Sequence, residues 1–177
     1  AAEAAETDRR VALDEIHHVL ELFIQGLAGR PLKIEAAAES GTDTATLFLP
    51  ERLSGFAGRQ DNFRLYKIMA AYLWAQTWYG TFRVPDNEAP LAEWLASFDA
   101  PDTAARRFHA LETARLNACL ARELPGLHRD MREIQRLAGD RVAGAVGDRP
   151  GGVRAVHRLL RDRDARLLTR LARRAVV

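Results

Sequence analysis

The longest apolar stretch of the chain is Ile68–Tyr79, inside the segment DNFRLYKIMAAYLWAQTWYGTF at Asp61–Phe82. Almost every side chain of this stretch is apolar or aromatic, so the two-sided pattern of a surface helix is missing. The pattern predicts a helix that is buried on most sides and lies at the centre of the domain. We expect Asp61 or Asn62 to cap its first backbone amides and Gly80 to adopt the left-handed turn that ends it.

The first part of the chain also has helical periodicity. Apolar residues at three-to-four spacing predict a helix that begins at Thr7 or Asp8 and reaches about Gly26 or Gly29. Pro31 follows, and proline does not continue a helix because it lacks the backbone N–H and its ring clashes with the preceding turn. The sequence therefore places one amphipathic helix ahead of the apolar stretch.

Two short apolar segments connect these helices. Leu32–Ala36 and Thr46–Pro50 are separated by the turn-rich cluster Glu39–Asp43. We interpret the two segments as a two-stranded hairpin. Because such a ribbon is marginally stable alone, it should pack on the central or the first helix and hold Pro50–Arg52 against the core.

The second half of the chain is helical in pattern. Further helices, separated by proline-containing breaks, are predicted at Leu91–Phe98, Ala104–Leu124 and Pro125–Ala138. The predicted fold class is mainly α: one helical domain over residues 1–177, around a buried central helix with a small two-stranded β-hairpin. Residues 148–177 would be a linker, Asp148–Gly152, plus the start of the following region. The chain lacks an initiator Met, so we expect a fragment of a longer protein.

Composition narrows the class of protein. The chain has 26 basic and 24 acidic residues and a formal charge of +2, which is too even to indicate a nucleic-acid partner. Its single cysteine, Cys119, excludes an intrachain disulfide and fits a reducing compartment. No apolar run is long enough to cross a membrane. We therefore expect a cytoplasmic protein with no membrane partner.

Motifs of known chemistry are sparse. The sequence contains no Gly-rich phosphate loop, paired CxxC, HExxH or GxSxG motif. His18 and Glu21 share a helical face beside His17 and could hold a metal, but a solvated helix edge fits better because a site needs three or four convergent ligands. Cys119 lies on an apolar helical face, where a thiol acts as a small hydrophobe.

Two other patterns each allow a structural and a functional interpretation. Trp74, Trp78 and Tyr79 are either core or binding residues, and their position in an apolar helix favours the core. The arginine-rich end, Arg154–Arg174, is either a phosphate-binding surface or a solvated helix. Two interleaved aspartates favour a solvated helix or one that faces an acidic protein surface.

Four segments together resemble a known family. They are GRPLKIEA, TLFLPERLSGF, RQDNFRLYKIMAAYLWAQTWYGTF and FHALETARLNACLARELPGLHRDM, within Leu22–Met131. They are similar to the amino-terminal region of the CbbO and NorD proteins, whose von Willebrand factor type A domain lies towards the carboxyl end. The strand ending LPER, the helix ending YGTF and the run LExAR...LxRExPGL are the most specific pieces, and the resemblance extends to DRPGGVRAVHRLLRD near the end of the chain.

The resemblance includes an informative departure. Relatives with this pattern carry histidines four apart in the central helix, at the positions of Tyr72 and Gln76 here, and an acidic residue at the position of Glu112. That layout resembles a zinc peptidase scaffold, and without the histidines a single carboxylate cannot activate a water molecule. The resemblance thus implies a degenerate metal site and no catalysis, with Glu112 hydrogen-bonded or ion-paired to Arg115 or Tyr72.

The helix end AQTWYGTF is more similar to the CbbO branch. That resemblance implies an adaptor subunit of a Rubisco activase in the bacterial cytoplasm, docked on a CbbQ-like hexamer, a MoxR-type AAA+ ATPase. The resemblance implies that ATP and Mg bind to that partner and that a divalent metal binds to the von Willebrand domain, which is absent here. It implies no cofactor in this fragment. Force passed to Rubisco would release inhibitory sugar phosphates. The alternatives are a NorD-type adaptor for nitric oxide reductase activation and a divergent metal-dependent hydrolase that uses Glu112, Glu51 and a histidine from elsewhere in the chain.

The docking surface on such an adaptor should be an exposed rim with a few anchors. Candidates beside the strands and the start of the central helix are the basic residues Arg52, Arg59, Arg64 and Lys67, with Phe56 as an apolar anchor. The structural alternative is an ordinary charged rim, since exposed charges usually add little affinity.

Overall fold

The computed structural model describes residues 10–83 and 90–145 of the chain. The helices in these ranges are α1 Leu13–Ala28, α2 Arg59–Trp78, α3 Leu91–Ala96, α4 Pro101–Glu123 and α5 Pro125–Ala145. The strands are β1 Val11–Ala12, β2 Lys33–Ala36, β3 Gly41–Thr42, β4 Thr46–Leu49 and β5 Arg52–Leu53. The mainly α fold class is confirmed. The predicted linker at Asp148–Gly152 and the arginine-rich segment after it lie outside the described residues.

Helix α2 is the centre of the fold, as its apolar pattern predicts. It contacts α1, α4 and α5 and also the strands β1, β3, β4 and β5. Its buried side chains occur on several sides of the helix, and Tyr66, Ala70, Ala71 and Ala75 have no exposed surface. Alanines at these positions let neighbouring elements approach the helix closely, so one helix can be the packing partner of most of the domain.

The predicted start of α2 is wrong and its predicted end is confirmed. The N-cap is Gly58, with an extended backbone and no side-chain hydrogen bond, rather than Asp61 or Asn62. Asn62 lies one turn inside the helix because its side chain closes the preceding loop instead of capping the helix. At the other end, Gly80 has a φ of +73°, the left-handed conformation that glycine adopts without a Cβ penalty.

The strand pairing corrects the predicted hairpin. β2 and β4 are the two predicted strands and are neighbours, but they run parallel, with Ile34 opposite Leu47. Within the intervening segment, β3 pairs antiparallel with the other edge of β4, which gives the order β2-β4-β3. β4 is therefore the central strand of this small sheet. Its leucines Leu47 and Leu49 are buried, which accounts for its apolar sequence.

The turn after β4 is held against the core, as expected. The Tyr66 hydroxyl of α2 donates a hydrogen bond to the Pro50 carbonyl at 2.8 Å, and the Leu13 amide donates to the Glu51 carbonyl at 2.9 Å. β5 then pairs antiparallel with β1, placing Leu53 opposite Val11. Because the start of α1 and the turn share these bonds, the first helix is positioned by the same segment that leads into α2.

Candidate functional site

The predicted basic rim is engaged in contacts within the domain. The Arg59 guanidinium lies 2.6 Å from the Glu15 carboxylate and also donates to the Arg10 carbonyl at 2.6 Å. That ion pair lowers the pKa of Glu15, chiefly through the hydrogen bond from Arg59. Arg59 thus joins the first turn of α2 to the first turn of α1.

Two other rim residues join α2 to α5. Lys67 Nζ lies 3.1 Å from Asp130, and Arg64 lies 3.0 Å from Asp61 and 3.9 Å from Asp130. Lys67 also lies over the Phe63 ring, 5.8 Å from its centroid. These side chains are about 30% exposed, so they shape the surface while they link two helices.

The remaining two rim candidates differ sharply in exposure. Arg52 is 56% exposed and lies 3.3 Å from Glu51, so its guanidinium is accessible. Phe56 is 4% exposed and belongs to the core, so its expected role as an exposed anchor is wrong. The reason is local: the Asn62 side chain bonds to both the amide and the carbonyl of Phe56 and draws the loop inward.

The expected degenerate metal positions lie on α2 and α4. Tyr72 is partly buried and packs on the core, and the Gln76 amide oxygen is buried with no hydrogen-bond partner in the described part of the chain. Across residues 10–83 and 90–145, no three His, Cys, Asp or Glu side chains are placed to hold a metal ion. His17 Nε2 lies 2.9 Å from the Ile34 carbonyl, which ties α1 to β2.

Glu112 forms the polar link between α4 and the end of α2. Its carboxylate accepts hydrogen bonds from the Thr81 hydroxyl at 2.5 Å and from Arg115 Nε at 2.7 Å. Arg115 also donates to the Tyr79 carbonyl at 3.0 Å. The expected pairing of Glu112 with Arg115 is therefore confirmed. Burial by itself raises the pKa of Glu112, but these hydrogen bonds outweigh burial and hold the pKa below its ordinary value.

An exposed aromatic group lies beside this link. Trp74 is 5% exposed, as expected for a core residue, but Trp78 is 58% exposed, so its assignment to the core is wrong. The two rings are stacked with centroids 5.6 Å apart, and Tyr79 meets Trp74 edge-on at 6.0 Å. Trp78 is the last residue of α2, and the last fully buried residue of the helix, Ala75, comes three positions earlier.

Tyr79 connects the aromatic rings to the end of α4. Its hydroxyl donates to Glu123 at 2.6 Å, and Glu123 also pairs with Arg122 at 2.7 Å. Burial, together with the hydrogen bond to this carboxylate, raises the pKa of Tyr79 to about 12. We call the group formed by Trp74, Trp78, Tyr79, Arg122 and Glu123 the Trp78 patch.

The exposure of Trp78 is the feature that sequence reasoning missed. Its position four residues from Trp74 and two from Gly80 is the only signal in the sequence, since side chains beside a helix end have fewer covering neighbours.

Among the described helices, none is both long and apolar enough to cross a membrane. In comparisons with protein-family models, curated proteins and solved structures, the chain has no significant match.

Proposed function

We propose that this domain is the non-catalytic adaptor part of a Rubisco activase, and that it docks on the hexamer of a CbbQ-like, MoxR-type AAA+ ATPase. The resemblance of Leu22–Met131 to the amino-terminal region of CbbO and NorD proteins supports the type of partner. The single structural observation that supports docking is the exposed Trp78 ring. Tryptophan and arginine are the residues most enriched among binding hot spots.

The Trp78 patch has the properties of a preorganised anchor. Trp78 is stacked on the buried Trp74, so its ring is held in place before a partner arrives. Little side-chain freedom is then lost on binding, which is the general advantage of a rigid aromatic anchor. Glu123 is joined to Tyr79, the residue after Trp78, and pairs with Arg122, so these two side chains can supply a polar edge that sets orientation. We assign the ATPase contact to this patch, with the exposed Arg52 side of the domain as the second candidate surface.

The test is co-elution of the chain with the ATPase hexamer, with the rate of ATP hydrolysis recorded for the hexamer alone and in complex. We expect Trp78→Ala to weaken binding at least about tenfold, because loss of a hot-spot anchor costs roughly 2 kcal/mol or more. Phe98→Ala is a matched control, since Phe98 is 44% exposed and packs edge-on against the partly buried Trp94 at 5.0 Å.

The outcomes separate the parts of the proposal. Binding that survives Trp78→Ala but is lost in Arg52→Glu would move the dock to the Arg52 side. A chain that never binds the hexamer would overturn the adaptor function. The client is tested separately by adding inhibited Rubisco or inactive nitric oxide reductase to the complex that carries the complete adaptor protein, since the NorD-type alternative differs only in client.

A further inference from the structure

The outward side of α1 carries apolar surface that the described part of the chain does not cover. Val19 and Leu22, three residues apart and therefore on one side of the helix, are 53% and 55% exposed. Gly26 follows one turn later, where an added Cβ would meet nothing within 4 Å. We call Val19, Leu22 and Gly26 the α1 outer face. It is a narrow apolar strip that ends at a residue without a side chain, a shape suited to another helix.

The charged residues of α1 indicate which kind of surface would bind to the α1 outer face. α1 contains Asp14, Glu15 and Glu21 but no lysine or arginine. Glu15 is paired with Arg59, whereas Asp14 and Glu21 have no ion pair with a lysine or arginine in the described part of the chain. Asp14 and Glu21 are seven residues apart and lie on one line along α1, about a quarter turn from Leu22, so the apolar strip has an acidic flank on one side. The matching surface is apolar with a basic flank.

The last part of the same chain has that matching composition. Residues 146–177 contain nine arginines and three aspartates, a formal charge of +6, which leaves −4 for residues 1–145 out of the total of +2. Leucines and valines recur among the arginines at three-to-four spacing, at Val156, Leu159, Leu160, Leu167, Leu168 and Leu171. A chain whose two parts have opposite charge attracts its own end.

The described end of α5 points towards the start of α1. α5 follows α4, whose last residue, Glu123, bonds to Tyr79 beyond the end of α2, and Asp130 then lies beside Lys67. α5 thus runs antiparallel to α2, towards the turn where Arg59 contacts the start of α1. Residues 146–152, after the last described helical residue, can span about 23–25 Å when extended. Since α1 and α5 both pack on α2, their axes are no more than about 20 Å apart, within that reach.

We propose that residues 153–177 dock as an amphipathic helix on the α1 outer face of the same molecule. Their leucines would pack on Val19 and Leu22, and their arginines would face Asp14 and Glu21. This internal contact is independent of the Trp78 patch, which lies at the opposite end of α2 from the start of α1.

The test uses the full 177-residue chain with a nitroxide spin label on Arg170→Cys in a Cys119→Ser background. Paramagnetic broadening of the backbone amide signals of α1 is the readout. We expect broadening around Val19 and Leu22 that is the same at low and high protein concentration. Leu22→Asp should abolish it, because a carboxylate there meets apolar side chains. Leu111→Asp is the control, since Leu111 is 73% exposed on α4 and should leave the broadening unchanged.

A second variant tests the electrostatic part of the proposed contact separately from its hydrophobic part. Glu21→Lys should also reduce the broadening, and a rise in salt should reduce it in the unmodified chain, because both weaken attraction to the arginines. Broadening that appears on unlabelled chains mixed with labelled ones would assign the face to a second copy and overturn the proposal. Absence of broadening on α1, with the fold shown intact by its amide spectrum, would overturn it as well.

Discussion

Asn62 and Phe56 exchange a reciprocal pair of hydrogen bonds. The Phe56 amide donates to Asn62 Oδ1 at 2.9 Å, and Asn62 Nδ2 donates to the Phe56 carbonyl at 2.9 Å and to the Gly58 carbonyl at 3.1 Å. Asn62 has no exposed surface, so these bonds replace all contact of its amide with water. The primary amide, with both donors and an acceptor, is what fixes the loop that leads into α2.

Asn62→Asp should therefore destabilise the domain by about 2–4 kcal/mol. The carboxylate keeps an acceptor for the Phe56 amide but removes the Nδ2 donor from the Phe56 and Gly58 carbonyls, and it buries a charge. The Gly58 carbonyl keeps its bond from the backbone amide of residue 62. Urea denaturation measures the loss. Gln60→Glu, an exposed change of the same kind in the same turn, should stay within about 0.5 kcal/mol. Equal stability of the Asn62 variant and the parent chain would contradict this role.

The link at Glu112 should make stability depend on acid pH. The pKa of Glu112 is lowered in the folded state, so its contribution is present above the ordinary value of 4.5 and is lost as pH falls through the folded value. Glu112→Ala should cost about 1.5–3 kcal/mol at pH 7, as for hydrogen bonds to charged groups.

Thermal unfolding from pH 7 to pH 3 checks this dependence. The stability difference between Glu112→Ala and the parent chain should shrink as the pH falls below about 4.5, since protonation removes the same carboxylate that the substitution removes. The control is Glu93→Ala, because Glu93 is exposed on α3 and should give a small difference at all pH values. A Glu112 difference that stays constant down to pH 3 would contradict the charged link.

The pair Lys67–Asp130 should show a coupling energy of about 0.5–1 kcal/mol in a double-mutant cycle of Lys67→Ala and Asp130→Ala. The two groups are 3.1 Å apart and partly shielded from water, and they connect α2 with α5. Salt should reduce the coupling. A coupling near zero would free Lys67 for an external partner, as the sequence-based rim hypothesis requires.

Gly26 in α1 and Gly29, which caps the end of α1, should respond oppositely to substitution by alanine. An added Cβ meets nothing within 4 Å at Gly26 or at Gly29, but only Gly29 has a positive φ, +65°. Gly26→Ala should stabilise the domain by about 0.5–1 kcal/mol, and Gly29→Ala should destabilise it by about 1 kcal/mol. Thermal or urea unfolding measures the free energy of unfolding of the two variants. Because neither added Cβ meets another atom, the difference between them reports on backbone conformation and not on packing. The same sign for both changes would contradict the assigned helix end.

Sequence patterns predicted the features of the fold that depend on residues close together along the chain. The apolar run identified α2 as the central helix, and Gly80 identified its end, because burial and left-handed backbone leave signals in single residues. The parallel pairing of β2 with β4 left no such signal, since either direction suits the same apolar strand. Asn62 was expected to cap α2, but its side chain bonds to Phe56 in the preceding loop. The path of that loop leaves no signal in the sequence.

The candidate site was less predictable for the same reason. Glu112 was expected to pair with Arg115, which is three residues away on the same helix, and this was found. The partners of Arg59, Lys67 and Tyr79 come from other helices, so the sequence could mark their charge or polarity but not what they bind. The exposure of Trp78 likewise depends on which elements end near it.

The position of α2 among its neighbours has a consequence for how the domain unfolds. Because α2 contacts most other elements, we expect the backbone amides in its buried middle to exchange with solvent only when the domain opens as a whole. Helix α3 makes its main contacts with α4 alone, so it can detach while the rest of the domain stays folded. The Trp78 patch lies at the end of this helix, so a pull applied there would act on the element that we expect to open last.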